Sequence, residues 1–328
     1  MFTLLTFLAP RIAVGVVAAA TAFSTTAHAQ TWPTKPVKVL VPFAPGGGVD
    51  IVARFVAARL SAQLGQQFVI ENRGGAGGTI ATAMVAKAPA DGYTLLVAHQ
   101  GLAFNATLYA NPGFDTQRDL VAIALVGATP NVIVVNPALA IRSVADLIVQ
   151  AKRAPDSIAY GSGGVGSAGH LATEYLQSLA DIKLTHVPYK GSGPALADLI
   201  AGQIQMMFLV LPPAMSHIKT GKLRAIATSG ARRTPVLPDT PTVAESGVRD
   251  YEYTPWFGWF GPSGLAPALV ERINRSVNAV LAQPATRDQL AAQGLDVDAR
   301  SADQFGRIVR DDIARWGKII RDAGIKPE

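Results

Sequence analysis

Beyond residue 30 the chain alternates short β-branched runs with longer stretches in which apolar residues recur every three or four positions. Alternation of this kind is the pattern of βα units, in which helices cover a largely parallel sheet. Strands are expected at 37–43, 68–71, 93–98, 132–135, 158–160, 184–187, 205–209 and 223–228. A helix from about 49 to 64 carries Ile51, Val52, Phe55, Val56 and Leu60 on one stripe. Ser143 with Asp146 has the spacing of a capping box and opens a helix reaching about Arg153. Ser301 with Gln304 opens the last helix, whose buried stripe is Phe305, Ile308, Val309, Ile313, Trp316 and Ile320.

Extended runs around 126–135 and 223–229 bracket a self-sufficient βα set. The expected organisation is therefore an α/β chain of two lobes: 30–128 with 229–328 as the first, and 129–228 inserted as the second. Two crossings make a two-strand hinge, and the cleft between lobes is where ligands of such proteins bind.

The first residues follow a different pattern. Arg11 precedes the apolar run 12–23, which ends in Ala27-His28-Ala29. This is the pattern of a secretory signal peptide over 1–29, with cleavage expected after Ala29 and the mature protein outside the cytoplasm. The run is too short for the roughly 20 residues of a membrane helix.

With 328 residues and no cysteine, the chain has no disulfide framework, thiolate metal site, iron–sulfur cluster or cysteine nucleophile. The formal net charge of +6 is scattered, with Lys152-Arg153 and Arg232-Arg233 the longest clusters. Nucleic acid is a poor partner for that distribution, and a mild positive field suits a small anion better.

Two loops carry candidate chemistry. The strand VKVLVPF runs into APGGGVD and a helix, so Gly46, Gly47 and Gly48 let backbone N–H groups converge beside the helix's positive end. Asp50 is either a helix cap or a ligand contact. A Gly47→Ala change should matter only if that residue has positive φ. The strand SIAY leads in the same way into GSGGVGSAGH, where Ser162, Ser167 and His170 add donors around Gly163 and Gly166. One such loop in each lobe makes an anion clamp. Gly161, Gly163 and Gly166 also spell a dinucleotide-binding fingerprint, but the next strand ends in Tyr189 and Lys190 where an acidic residue would have to bind ribose. The five histidines show no metal-ligand spacing, and no G-x-S-x-G elbow exists. No metal and no cofactor are expected. His99 and His170 are placed to reach the cleft, and GGAGG at 74–78 is a tight turn beside it.

Read in order, VPFAPGGGVDIVAR, QFVIENRGGAGG, VAKAPADGYTLL, YGSGGVGSAGHLATE, HVPYKGSGPALADLIAGQI, PWFGWFGP and IARWGKIIRDAGIK resemble the extracytoplasmic receptors of tripartite tricarboxylate transporters, also called Bug proteins. The resemblance runs from about Trp32 to Lys326. It implies a type II periplasmic-binding-protein fold, a non-enzymatic role, a small carboxylate ligand, delivery to membrane permease subunits, and a monomer. It also implies that the loops at Phe43, Ala44, Gly46, Gly47, Gly48, Asp50 and at 161–170 hold the proximal carboxylate. Gln100, Asn105, Tyr189 and the strand at 205–209 would surround the rest of the ligand. Where many members have an acidic residue in that strand, this chain has Gln205 and Leu209. If Leu209 faces the pocket it favours an apolar or aromatic tail over an amino-bearing one; otherwise it packs in the sheet. A sensor that signals to a membrane partner, and an exported hydrolase using Ser167 and His170, are the alternatives.

Overall fold

The computed structural model describes residues 32–325, so the expected signal peptide and its cleavage site lie outside the described residues. Among the described residues no helix is long and apolar enough to cross a membrane.

The first half of the chain builds β1 (Val37–Val41), α1 (Gly48–Leu64), β2 (Phe68–Asn72), α2 (Thr79–Ala86), β3 (Thr94–His99), α3 (Gly101–Leu108) and β4 (Leu120–Ala128). The chain then forms β5 (Asn131–Val135), α4 (Val144–Arg153), β6 (Ala159–Ser162), α5 (Ala168–Ala180), β7 (Thr185–Pro188), α6 (Ser192–Ile200), β8 (Met206–Val210), α7 (Leu211–Lys219) and β9 (Arg224–Thr228). It returns through β10 (Trp256–Pro262), α8 (Pro267–Ala282), α9 (Pro284–Ala291), β11 (Asp296–Val297) and α10 (Ala302–Asp322).

Two sheets result, a six-stranded one ordered β11-β4-β10-β3-β1-β2 and a five-stranded one ordered β7-β6-β8-β5-β9. Parallel pairing of β1 with β2 and β3, and of β6 with β7 and β8, follows from the βα crossovers. In the six-stranded sheet β10, between β3 and β4, and the short edge strand β11 run against the rest, and in the five-stranded sheet β5 runs against β8 and β9. β10 and β5 are the strands entered by the connections between sheets, which arrive from the opposite end. β4 and β5 are separate strands because Pro130, between them, has no N–H to donate to a ladder.

The capping spacings form as drawn from the sequence, one completely. Ser301 and Gln304 make both reciprocal bonds at the start of α10, whereas Ser143 Oγ accepts from Asp146 N–H and the Asp146 carboxylate accepts from Arg142 N–H instead.

The return connection keeps contact with the five-stranded half beyond residue 228. Val243, Val248, Tyr251 and Tyr253 pack into the apolar cluster of the five-stranded half with Tyr160, Leu171 and Phe208. The crossing segments are tied where they meet: Thr129 N–H donates to Pro255 O, Ser229 N–H to Asn131 O, and Tyr253 N–H to Ser229 O. Helix α10 also spans both halves, with Phe305 and Val309 in a cluster with Leu96 and Phe260, and Trp316 and Ile320 in the cluster with Tyr160.

Candidate functional site

A cavity of about 40 Å³ lies between the two sheets, lined by Gly47, Gly48, Ser167, Gly169, Ser192 and His99 with the apolar Phe43, Phe208, Leu209, Val210 and Phe257 among others. Three helices point their N-termini at it. α1 starts at Gly48 behind N-cap Gly47, α5 at Ala168 behind Ser167, and α6 at Ser192 behind Gly191. First-turn N–H groups have no partner inside a helix. At α1 and α6 no side chain caps them, and at α5 the bond from His170 N–H to Ser167 Oγ is long at 3.4 Å. No Lys or Arg lines the cavity, so its positive potential comes from backbone amides and helix dipoles.

The halves meet directly around this space. Ala44 N–H donates to Lys190 O at 2.9 Å and the Tyr109 hydroxyl to Val165 O at 3.0 Å. A methyl on Gly47 would come within 2.6 Å of Ser192 Oγ, and one on Gly48 within 2.2 Å of Val210 Cγ2. Gly47 itself has φ −83°, so the condition of positive φ falls on its neighbour Gly46, at +82°.

The clamp residues divide into those at the cavity and those that support it. Phe43, Gly47, Gly48, Gly163, Ser167 and Leu209 line it. Leu209 is 2% exposed and also packs with Val132 and Leu199 in the sheet. Asp50 faces away and organises the glycine loop, accepting from Gly46 N–H, Arg54 Nε and Asn72 Nδ2. Burial opposes its ionisation, but the bonds from Arg54, Gly46 and Asn72 outweigh it and hold the carboxyl below its ordinary range. Asp50→Ala should lower stability by about 1–3 kcal/mol, the loss of the hydrogen bonds to a charged carboxylate that order the loop, as read from urea unfolding. A parent-like midpoint would remove that role.

Ser162 and His170 stand behind the second loop. Ser162 Oγ accepts from Gly164 N–H and contacts His186 Nε2 at 2.7 Å, while His170 Nδ1 accepts from Gly166 N–H and its ring lies against His186. Ser167 and His170 meet only through the His170 backbone N–H, so they do not form a nucleophile–base pair. Gln100, Asn105 and Tyr189 do not line this cavity. Gln100 Nε2 donates to Asp312, Asn105 Nδ2 to Gly77 O, and the Tyr189 hydroxyl to Asp198. Each is held by a partner that the sequence does not reveal.

His99 stacks on Phe43 with ring centroids 4.9 Å apart. Its Nδ1 accepts from Gly101 N–H at 2.7 Å, so the neutral ring carries its proton on Nε2. Burial pushes this imidazole down to about 4. Phe208 lies in the strand at 205–209 expected beside the ligand, whereas Ser192, Val210 and Phe257 are not among the residues expected there. The signal for Ser192 was present: HVPYKGSGPALADL is a third strand–glycine–helix unit.

Residues 52–325 match the family described as Tripartite tricarboxylate transporter family receptor. The chain belongs to this family. It is 37% identical over 315 residues to Protein BugT of Bordetella pertussis, covering 95% of this chain and 97% of BugT. Its fold superposes on that of R. palustris Rpa4515, solved with adipate, at a TM-score of 0.87 and 39% identity, covering 90% of this chain and all 100% of that one. MatC of Rhodopseudomonas palustris, solved with bound malate, is 31% identical with a TM-score of 0.85, over 88% of this chain and 99% of MatC. The Bug-type receptor fold is thus the type II periplasmic-binding-protein architecture, and the tripartite tricarboxylate receptors are periplasmic solute-binding proteins, not enzymes.

Proposed function

We propose that this receptor captures a small carboxylate between two hinged lobes and delivers it, as a monomer, to the membrane permease subunits of a tripartite transporter. The observation that carries the reading is the convergence of three helix N-termini, two without a side-chain cap, on a cavity without a cationic side chain. A carboxylate accepts from several such amides at once, and its charge is offset by the dipoles. The amides of Gly47, Gly48 and Gly163, with Ser167 and Ser192, hold the carboxylate, and Asp50, Ser162, Gly166 and His170 shape the loops. One lobe is the six-stranded half and the other is residues 129–255; the Thr129 and Pro255 crossings form the hinge. Closure on the ligand would produce the form a permease recognises. Residues 1–29 serve as the export signal, removed after Ala29.

Purified protein, unfolded and refolded to strip retained ligand, should be stabilised by an acid and not by the corresponding amide in a thermal-shift measurement. At about one hundred times the dissociation constant the stabilisation is roughly 2.7 kcal/mol. Absence of a shift with every mono-, di- and tricarboxylate, in protein shown to be folded, would overturn carboxylate capture.

A further inference from the structure

We infer that the cavity selects a short monocarboxylate with an apolar tail and rejects dicarboxylates. This rests on the carboxylate reading above and specifies what lies beyond the carboxylate.

The side chains lining the cavity carry no charge, since the polar ones are Ser167, Ser192 and a buried, neutral His99. Each helix N-terminus contributes roughly half a positive charge. Three of them match about one carboxylate and leave little for a second. A further anion enclosed in the same space would be buried without a partner, which is strongly unfavourable.

The polar side chains nearest the cavity beyond its lining already have partners. Gln100 and Asn105 lie outside the cavity lining, each with one amide N–H bonded, to Asp312 and to Gly77 O, and with its buried carbonyl oxygen unpartnered. An amide oxygen accepts hydrogen bonds and cannot donate to an anion. The Tyr189 hydroxyl donates to Asp198 at 2.6 Å. What remains around the cavity is Phe43, Phe208, Leu209, Val210 and Phe257, a wall that favours methyl and methylene groups.

Size leads to the same class. About 40 Å³ of cavity holds roughly three waters at about 10–15 Å³ of such space each, or about 90 Å³ of liquid-like volume. That is the scale of an acid of about two to four carbons.

Titration calorimetry of the ligand-stripped protein at pH 7.5 with acetate, propanoate, butanoate, succinate, malate and adipate tests the inference. Propanoate or butanoate should bind at least about 50-fold tighter than any of the three diacids. In Leu209→Asp the preferred monoacid should lose about tenfold or more, because a charge replaces apolar wall. Equal or tighter binding of succinate, malate or adipate by the parent protein would overturn selectivity while leaving carboxylate capture standing. Failure of all six acids to bind folded protein would likewise overturn the selectivity, and carboxylate capture is judged separately by the wider thermal-shift screen.

Discussion

Gly193→Ala should leave the protein at least as stable as the parent and lower its affinity for ligand about 100-fold, equivalent to ~2.7 kcal/mol. Gly193 lies in the first turn of α6 with a backbone that accommodates alanine. Within its own half, alanine is the better helix former by up to about 1 kcal/mol. Across the cleft the situation reverses. A methyl at 193 would sit 2.2 Å from the Pro45 carbonyl oxygen, and the next nearest atoms, Pro45 C and Gly46 C, also belong to the opposite half. Carbonyl backbone does not rotate away as a side chain can, so the halves must part. Separation breaks the Ala44–Lys190 bond and opens the amide-lined cavity. Affinity falls with the fraction of molecules able to close. Calorimetry together with urea unfolding checks the pair of effects; an unchanged affinity would show that the bound form does not bring Pro45 and Gly193 together. Gly47→Ala should act more mildly, because the atom its methyl meets, Ser192 Oγ, can swing aside.

Acidification from pH 7 to pH 5 should lower unfolding stability by about 4 kcal/mol, about 2 from each of two buried imidazoles. Burial holds His99 down to about 4, and burial with the neighbouring His186 holds His170 down to about 3. Both are lowered in the folded state, so the folded protein keeps neutral rings while the unfolded chain takes up protons below about pH 6.5. Stability is therefore full above that value, falls as pH drops through the window, and stops falling from this source below about pH 3. Asp50 is held below its ordinary value, so its contribution is lost only at lower pH. Urea unfolding at the two pH values reads the effect, and His170→Gln should remove about half of the difference. Equal stability at pH 7 and pH 5 would mean that these rings are protonated without penalty.

The strands and helices were legible wherever a segment's own pattern decided its structure. The α1 stripe, the αL glycine Gly65 that ends that helix and the Ser301–Gln304 box are local and visible in sequence. β10 was not read as a strand, because its seven residues WFGWFGP are buried throughout and carry no alternation to mark them. The clamp was legible in the same partial way. Gly47, Gly48 and Ser167 follow from strand–glycine–helix units, while Gln100, Asn105 and Tyr189 look equally available in sequence and are bonded to partners far along the chain or across a turn.

The sequence by itself determined the βα pattern, two glycine loops feeding helix N-termini, the absence of thiol chemistry and the family resemblance, because each depends on residues near one another in the chain. Tertiary structure decided that a third helix, α6, joins the cavity and that Asp50, Ser162 and His170 support the loops from behind. It also decided that residues 229–255 pack with the five-stranded half and that Leu209 reaches the cavity wall. Those outcomes depend on which surfaces meet when two sheets close on one another, and contacts between residues distant in sequence leave no periodicity from which to read them.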